Sequence, residues 1–156
     1  MLHEPSETGP YLIGRKEFVA FPEWNLGRLR AKIDTGAFSS SLGVAKYELK
    51  RGANGRLIAW LTLCPNRHEP SRVVVVQAPV LKMVGVTCSS GVRERRPLLE
   101  TTIRLGPLER RIRLTIANRS AMRCPMLLGR EALNGSFLVD VSKKYLLRSE
   151  HPEQRT

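Results

Sequence analysis

The sequence predicts an all-β fold with one short helix near the C-terminus. Apolar and β-branched runs recur along the chain, and turn-forming residues separate them. Charged and aliphatic side chains alternate over 110–116, as expected of a strand with one buried face and one solvent-exposed face. The predicted strands cover 11–13, 18–21, 29–33, 57–63, 72–77, 80–86, 98–105, 110–117 and 137–141.

The turn signals between these runs are rich in Gly, Pro and Asn. They occur at 52–55, 64–66, 89–91, 105–107 and 134–136. Such residues supply the positive-φ and Pro-fixed positions that tight turns need. Only 129–133 has a helical pattern, and Asn134-Gly135 directly after it limits that helix to one or two turns.

Length and composition predict a single domain. The chain has 156 residues, of which 42% are hydrophobic, enough to bury a core without disulfides or metals. We expect the domain to cover 11–147, with polar, flexible tails at 1–10 and 148–156. The chain has no long apolar segment and its start lacks the features of a signal peptide, so a cytoplasmic protein without membrane association is expected.

The charge balance predicts an anionic partner. Lys and Arg number 26 against 14 Asp and Glu, which leaves a formal net charge of +12. The basic residues are scattered and aromatic residues make up only 6%, which argues against a stacking platform for nucleic acid without excluding one. An acidic peptide fits this charge equally well.

The chemistry-bearing motif is Asp-Thr-Gly-Ala at 34–37. An acid directly after a predicted strand precedes a hydroxyl residue and two small residues, a pattern suited to a carboxylate held by main-chain amides. Two carboxylates that share one proton hydrolyse a peptide bond without a covalent intermediate, because one accepts a proton from water while the other donates to the carbonyl oxygen. The tripeptide alone fits an ordinary strand-to-turn transition equally well.

Other catalytic classes find no support in the sequence. The three histidines, His3, His68 and His151, are isolated, and no cluster has the spacing of zinc ligands. The segment 9–16 resembles a phosphate-binding loop only superficially, because Arg15 precedes Lys16 and Glu17 replaces the Ser or Thr. No GxSxG motif occurs, and the three widely spaced cysteines are expected to be reduced. We therefore predict no cofactor and no metal.

A second motif, Leu127-Leu128-Gly129-Arg130 before the short helix, makes a family resemblance specific. With 34–37 it resembles the retropepsins, which pair Asp-Thr-Gly-Ala with an aliphatic-aliphatic-Gly-Arg segment near the C-terminus. Through 13–17, 31–37, 96–101 and 122–133 the chain more closely resembles the bacterial retropepsin-like family labelled ATP-dependent zinc proteases, often encoded near RimK-type glutamate ligases. The resemblance covers 11–147.

The resemblance implies a closed acid-protease β-barrel that works as a homodimer. Each protomer would supply one Asp34, Thr35 would brace the two loops across the dimer, and a hairpin flap would cover the substrate. For the flap we choose 84–96, with its tip at 87–91, over the alternative tip at 64–71. Asp34 and Asp140 are the two aspartates of the chain, so a monomeric enzyme would have to pair them.

The predicted site residues divide into three groups. Asp34 is the catalytic carboxylate, Thr35, Gly36, Ala37, Leu128 and Gly129 support it, and Ser39, Arg93, Arg96 and Arg130 bind substrate. Retroviral members place an Asp at the position of Phe38, where it pairs with the arginine that corresponds to Arg130. Without that Asp, Arg130 is expected to pair with Glu131 or Glu48, or to reach the substrate.

Two functions remain open at this stage. One is an aspartic peptidase acting on acidic peptides, such as glutamate tails that a RimK-type ligase adds to a ribosomal protein. In that case Arg93, Arg95 and Arg96 would lie over the cleft and bind carboxylates, although a solvent-exposed charged strand explains them equally well. The other is a non-enzymatic basic β-barrel that binds nucleic acid or a ribosome-associated partner.

Overall fold

The computed structural model describes residues 10–66, 68–69, 71–87, 90–118 and 125–147. Most of these residues lie in strands, and Pro22–Trp24 forms a short 3-10 helix. The strands are β1 (Tyr11–Ile13), β2 (Lys16–Phe21), β3 (Leu26–Ile33), β4 (Ser40–Val44), β5 (Lys46–Arg51), β6 (Leu57–Leu63), β7 (Val74–Thr87), β8 (Arg93–Leu105), β9 (Leu108–Asn118), β10 (Met126–Leu128) and β11 (Phe137–Val139). The helix α1 covers Arg130–Leu133.

Six strands close into a barrel. Their order is β2-β3-β10-β4-β9-β8, and the pairing of Ala20 with Arg104 joins β8 back to β2. Strands β7, β6 and β5 continue the sheet outward from β8, while β1 and β11 form a separate two-stranded parallel sheet. This architecture confirms the predicted all-β, closed-barrel fold with one short helix.

The barrel interior is filled by aliphatic side chains from alternate strand positions. In β3, Leu29, Ala31 and Ile33 are buried while Arg28, Arg30 and Lys32 alternate with them on the outer face. Removing such side chains from water is the main favourable contribution to folding. The largest fully buried side chains are Phe21, Ile13, Leu29, Leu42, Leu61, Leu63, Leu99, Leu105, Leu114, Ile116, Met126 and Leu128.

Several element boundaries differ from the prediction. The two strands expected at 72–77 and 80–86 form one strand, β7, with a register shift between Val80 and Lys82. Strands β4, β5 and β10 were not predicted, and β11 ends at Val139. The turn chemistry was predicted correctly, because Gly55, Gly91, Gly106 and Gly135 all have positive φ. The expected tails at 1–10 and 148–156 lie outside the described residues, apart from Pro10.

A C-terminal strap, residues 140–147, follows β11 and crosses the turn between β1 and β2. The N–H of Arg15 donates to the carbonyl oxygen of Lys143 at 2.7 Å, and the N–H of Tyr145 donates to that of Lys16 at 2.8 Å. The buried carboxylate of Glu17 accepts N–H donors from Gly14 at 2.8 Å and from the strap at Leu146 (2.9 Å) and Leu147 (3.3 Å).

Candidate active site

Strand β10 fixes the position of the end of β3 and therefore of Asp34. It lies between two strands, parallel to β3 and antiparallel to β4. Leu128 of β10 is opposite Ile33, and its carbonyl oxygen accepts the N–H of Asp34 at 2.9 Å. Leu128 is fully buried, so the predicted contact between the Leu-Leu-Gly-Arg segment and the loop of Asp34 is present in the structure.

Backbone N–H groups of the loop 34–39 donate hydrogen bonds to Asp34. The Gly36 N–H donates to Asp34 Oδ1 at 3.0 Å, and the Ala37 N–H donates to the Asp34 carbonyl oxygen at 3.3 Å. Within the part of the chain that the structure describes, no donor is bonded to Oδ2. Asp34 is half-buried and Thr35 is exposed.

Gly129 is required by the close approach of two backbone segments. A Cβ added there would lie 2.5 Å from the carbonyl oxygen of Ser39 and 2.6 Å from that of Phe38. The N–H of Gly129 donates to the buried hydroxyl of Ser40 at 3.0 Å. Glycine is therefore the residue that allows β10 to pack directly against the Asp34 loop.

The first turn of α1 continues this contact. The N–H groups of Arg130 and Glu131 donate to the carbonyl oxygens of Ala37 (2.8 Å) and Phe38 (2.9 Å). These bonds satisfy helix N-terminal donors that have no partner within the helix. They also fix the far end of the loop that begins at Asp34.

The Arg130 side chain lies on the Asp34 loop. Its Nη1 donates to the carbonyl oxygen of Thr35 at 3.0 Å, and its guanidinium lies 5.9 Å from the centre of the exposed Phe38 ring. The expected pairing with Glu131 or Glu48 is not found among the described residues. The hydrogen-bond partner of Arg130 among the described residues is therefore a backbone carbonyl oxygen rather than a carboxylate.

The sequence singled out Ser39, but the structure gives the structural contact to Ser40. Ser39 is exposed, whereas Ser40 is buried and accepts the Gly129 N–H. Ser40 begins β4, and Leu42 two residues later is also buried. Strand alternation would have indicated Ser40, had β4 been predicted. A substrate contact of Ser39 stays a prediction.

The hairpin of β7 and β8 extends past the barrel. Strand β8 pairs with β9 from Leu98 onward, whereas its pairing with β7 continues out to Arg93 and Thr87. We call this two-stranded extension, 83–87 with 93–97, the arm. It coincides with the hairpin chosen as the flap, although Cys88 and Ser89 at its tip lie outside the described residues.

The arm arginines differ in exposure. Arg93 and Arg95 are exposed, and the Arg93 guanidinium covers Gly85, where an added Cβ would lie 2.9 Å from Nη2. Arg96 is buried, and its Nε donates to Glu94 Oε1 at 2.7 Å. Arg96 thus differs from Arg93 and Arg95 in being buried, and a substrate contact of these arginines stays a prediction.

Asp140 has a turn-forming environment. Its Oδ1 accepts the Ser142 hydroxyl at 2.6 Å and the Ser142 N–H at 3.0 Å, and these bonds lower the pKa of Asp140 below the ordinary aspartate value. Its own N–H donates to the Ile13 carbonyl oxygen at 2.8 Å, which joins the strap to β1. Asp140 thus takes part in the turn that begins the strap.

The described residues contain no group of three or more His, Cys, Asp and Glu side chains that could hold a metal ion. They also contain no helix long and apolar enough to cross a membrane.

Comparison with known families agrees with the geometry of the Asp34 loop. A family model described as retropepsin-like aspartic endopeptidase RimB matches residues 12–150. The chain belongs to this RimB-like family. The resemblance predicted from 34–37 and 127–130 is confirmed. The RimB-like assignment covers the barrel, the arm and the strap together.

Similar proteins include longer chains and one solved structure. A probable alpha-L-glutamate ligase of Parasynechococcus marenigrum is 33% identical over 94% of this chain, and one of Shewanella pealeana is 30% identical over 88%. This chain spans only 31% and 30% of those two proteins. The crystal structure of Lpg0085 from Legionella pneumophila, a protein of unknown function, aligns with a TM-score of 0.71 and 25% identity, covering 88% of this chain and 98% of that one.

Proposed function

We propose that this RimB-like chain is an aspartic peptidase that uses Asp34 from each of two protomers to activate a water molecule. The observation that carries the proposal is the state of the Asp34 carboxylate. The Gly36 N–H holds Oδ1, and Leu128 and Ala37 bond the main chain of Asp34, yet Oδ2 has no donor among the described residues. A fixed carboxylate with one available oxygen can accept a proton from water.

The second carboxylate is proposed to come from a second copy of the chain. Asp140, the other aspartate, has its Oδ1 engaged by Ser142. A two-fold axis beside the exposed Thr35 would bring two copies of Asp34 together. An apolar surface supports association, since Leu12 and Leu138 are paired across β1 and β11 and are 50% and 58% exposed.

The proposed substrate is an acidic, glutamate-rich peptide or protein tail. The net charge of +12 favours such a substrate, and the exposed Arg93 and Arg95 of the arm can bind carboxylates. The longer relatives named as probable alpha-L-glutamate ligases connect this kind of domain with glutamate chemistry. Hydrolysis would add one water across one peptide bond and release a new carboxylate and a new amine.

The first prediction tests hydrolysis directly. The protein is incubated with glutamate oligomers and with neutral peptides of the same length, and products are read by mass spectrometry. We expect cleavage of the acidic peptides, and Asp34→Asn should lower kcat by at least about a thousandfold because it removes the acid–base group. Circular dichroism of the variant should match the wild type. Undiminished turnover by folded Asp34→Asn would refute the aspartic mechanism.

The second prediction tests the shared site. If two protomers supply one carboxylate each, specific activity should fall on dilution below the dimer dissociation constant. Light scattering after size exclusion should show a dimer at the concentrations where activity is full. Mixing wild type with excess Asp34→Asn should suppress activity, because mixed dimers carry only one carboxylate. Constant specific activity from a demonstrated monomer would exclude the dimeric mechanism.

A further inference from the structure

The outer face of β2 and β3 concentrates positive charge directly before the catalytic loop. Lys16 and Lys32 are paired across the two strands, and Arg30 lies on the same face of β3. Lys32 is two residues before Asp34, about 6.5 Å along an extended strand. We call Lys16, Arg30 and Lys32 the basic face.

The charges of the basic face are not compensated within the described part of the chain. The ion pairs there involve other residues, namely Lys50 with Glu48, Arg96 with Glu94, Arg104 with Glu109 and Arg111 with Glu23. Arg30 Nε is buried without a hydrogen-bond partner there. Like charges placed opposite one another on two strands destabilise the pair. An anion between Lys16 and Lys32 would remove that repulsion.

The aromatic residues of this face are already engaged. The Phe18 ring is stacked on Tyr145 with a centroid separation of 4.6 Å, and the Arg28 guanidinium lies 3.9 Å from the Phe18 centroid. Binding of single-stranded nucleic acid depends largely on bases stacking on exposed rings. A ring occupied by Arg28 and Tyr145 is poorly suited to that role, so the face favours carboxylates over bases.

We propose that the basic face is a docking site for the glutamate side chains of an extended acidic peptide on its way to Asp34. Alternate residues of an extended peptide repeat about every 6.5 Å, the same spacing that separates Arg30 from Lys32 on β3. A carboxylate between Lys16 and Lys32 and another at Arg30 would hold the peptide along the strand. This inference rests on the proposed acidic substrate and adds a surface outside the predicted site residues.

The test measures binding separately from hydrolysis. The full chain carrying Asp34→Asn is titrated against a fluorescein-labelled glutamate oligomer long enough to span the basic face and the Asp34 loop. The variant Lys16→Gln/Lys32→Gln is compared with Lys46→Gln/Arg56→Gln, which removes the same charge from the exposed β5–β6 hairpin. We expect the first pair to weaken binding about five-fold or more, since two charge contacts are lost, and the second to change it less than about two-fold.

The same variants with Asp34 intact distinguish docking from catalysis. Long oligomers should show a raised KM with unchanged kcat, while very short peptides should be cleaved as by the wild type. If Lys16→Gln/Lys32→Gln selectively weakens peptide binding but no protein with Asp34 intact hydrolyses the peptide, the docking site is supported and the peptidase proposal is refuted. Equal weakening of binding by both double variants would overturn the docking site, and so would undiminished binding by Lys16→Gln/Lys32→Gln. The docking site would also be overturned if RNA displaced the labelled peptide at a lower concentration than an unlabelled glutamate oligomer of equal charge.

Discussion

The carboxylates of Glu17 and Asp34 both accept hydrogen bonds from backbone amides, but they differ in whether one oxygen remains without a donor. Glu17 is 1% exposed, and both of its oxygens accept N–H donors, from Gly14, Leu146 and Leu147. Asp34 is half-buried and accepts the Gly36 N–H through Oδ1 alone. The difference indicates that Glu17 fastens the strap to the barrel, whereas Asp34 has one oxygen, Oδ2, without a donor among the described residues.

The surroundings reinforce this contrast. The strap reaches Glu17 from a distant part of the sequence, so the carboxylate replaces the strand partners that those amides lack. The Asp34 loop is instead held by its own amides and by bonds from Leu128 and Arg130. Rigid support from the backbone is what places a reacting group reproducibly. Both oxygens of Glu17 are used in structural hydrogen bonds, whereas Asp34 is held by its loop through Oδ1 alone.

The largest effect expected on stability is that of Glu17→Ala. It leaves three amide donors of Gly14, Leu146 and Leu147 without their acceptor, and each buried unsatisfied donor costs about 1–3 kcal/mol. We expect the free energy of unfolding to fall by at least about 3 kcal/mol. Chemical denaturation followed by tryptophan fluorescence measures this, because Trp24 is buried in the core.

Two Gln variants sharpen the result. Glu17→Gln keeps one carbonyl oxygen for Gly14 and Leu146, so its loss should be clearly smaller than that of Glu17→Ala. Glu109→Gln removes one partner of the exposed ion pair with Arg104, and we expect a change below about 1 kcal/mol. Equal stability of Glu17→Ala and Glu109→Gln would show that Glu17 does not hold the strap.

A smaller loss of stability with a large loss of activity is expected for Gly129→Ala. The added Cβ meets the carbonyl oxygens of Ser39 and Phe38, so the loop must move away from β10. We expect about 2 kcal/mol of destabilisation, as for other overpacked sites, and a fall in kcat through displacement of Asp34. Stability comes from denaturation, and kcat from the oligoglutamate assay of the first prediction.

Gly27→Ala is the matched control for that variant. Gly27 lies in β3, and a Cβ added there meets no atom within 4 Å. Its stability and activity should remain close to those of the wild type. If Gly129→Ala behaves like Gly27→Ala, the close approach of β10 to the catalytic loop has no functional importance.

Strand alternation predicted the all-β fold, and the family resemblance carried by 34–37 and 127–130 implied the closed barrel. Strand β10 was not predicted, because its pairing with β3 and β4 joins segments that are far apart in the sequence. The burial of Arg96 and the pairing of Lys16 with Lys32 depend on strand neighbours and register. Those contacts exist only after folding.

The smallest expected effect concerns Glu23, a third carboxylate that is largely exposed. Its pKa lies below the ordinary glutamate value, chiefly because the Thr101 hydroxyl donates to it at 3.0 Å, with Thr102 and Arg111 adding to the shift. Because the pKa is lowered on folding, the ionised form stabilises the fold above the unfolded-state pKa. That contribution is lost as pH falls through the folded-state pKa.

Glu23→Gln should therefore matter at neutral pH and become indistinguishable from the wild type in acid. We expect a neutral-pH loss below about 1 kcal/mol, because the Glu23–Arg111 pair is exposed and solvent screens it. Urea denaturation of both proteins, repeated from neutral to acidic pH, measures the converging difference. A difference that grew on acidification would reverse the sign and show that protonated Glu23 is the stabilising form. Glu23 is bound at the surface by hydroxyls and an arginine, in contrast to the buried Glu17. We therefore expect Glu23 to change the free energy of unfolding slightly, without holding the barrel together.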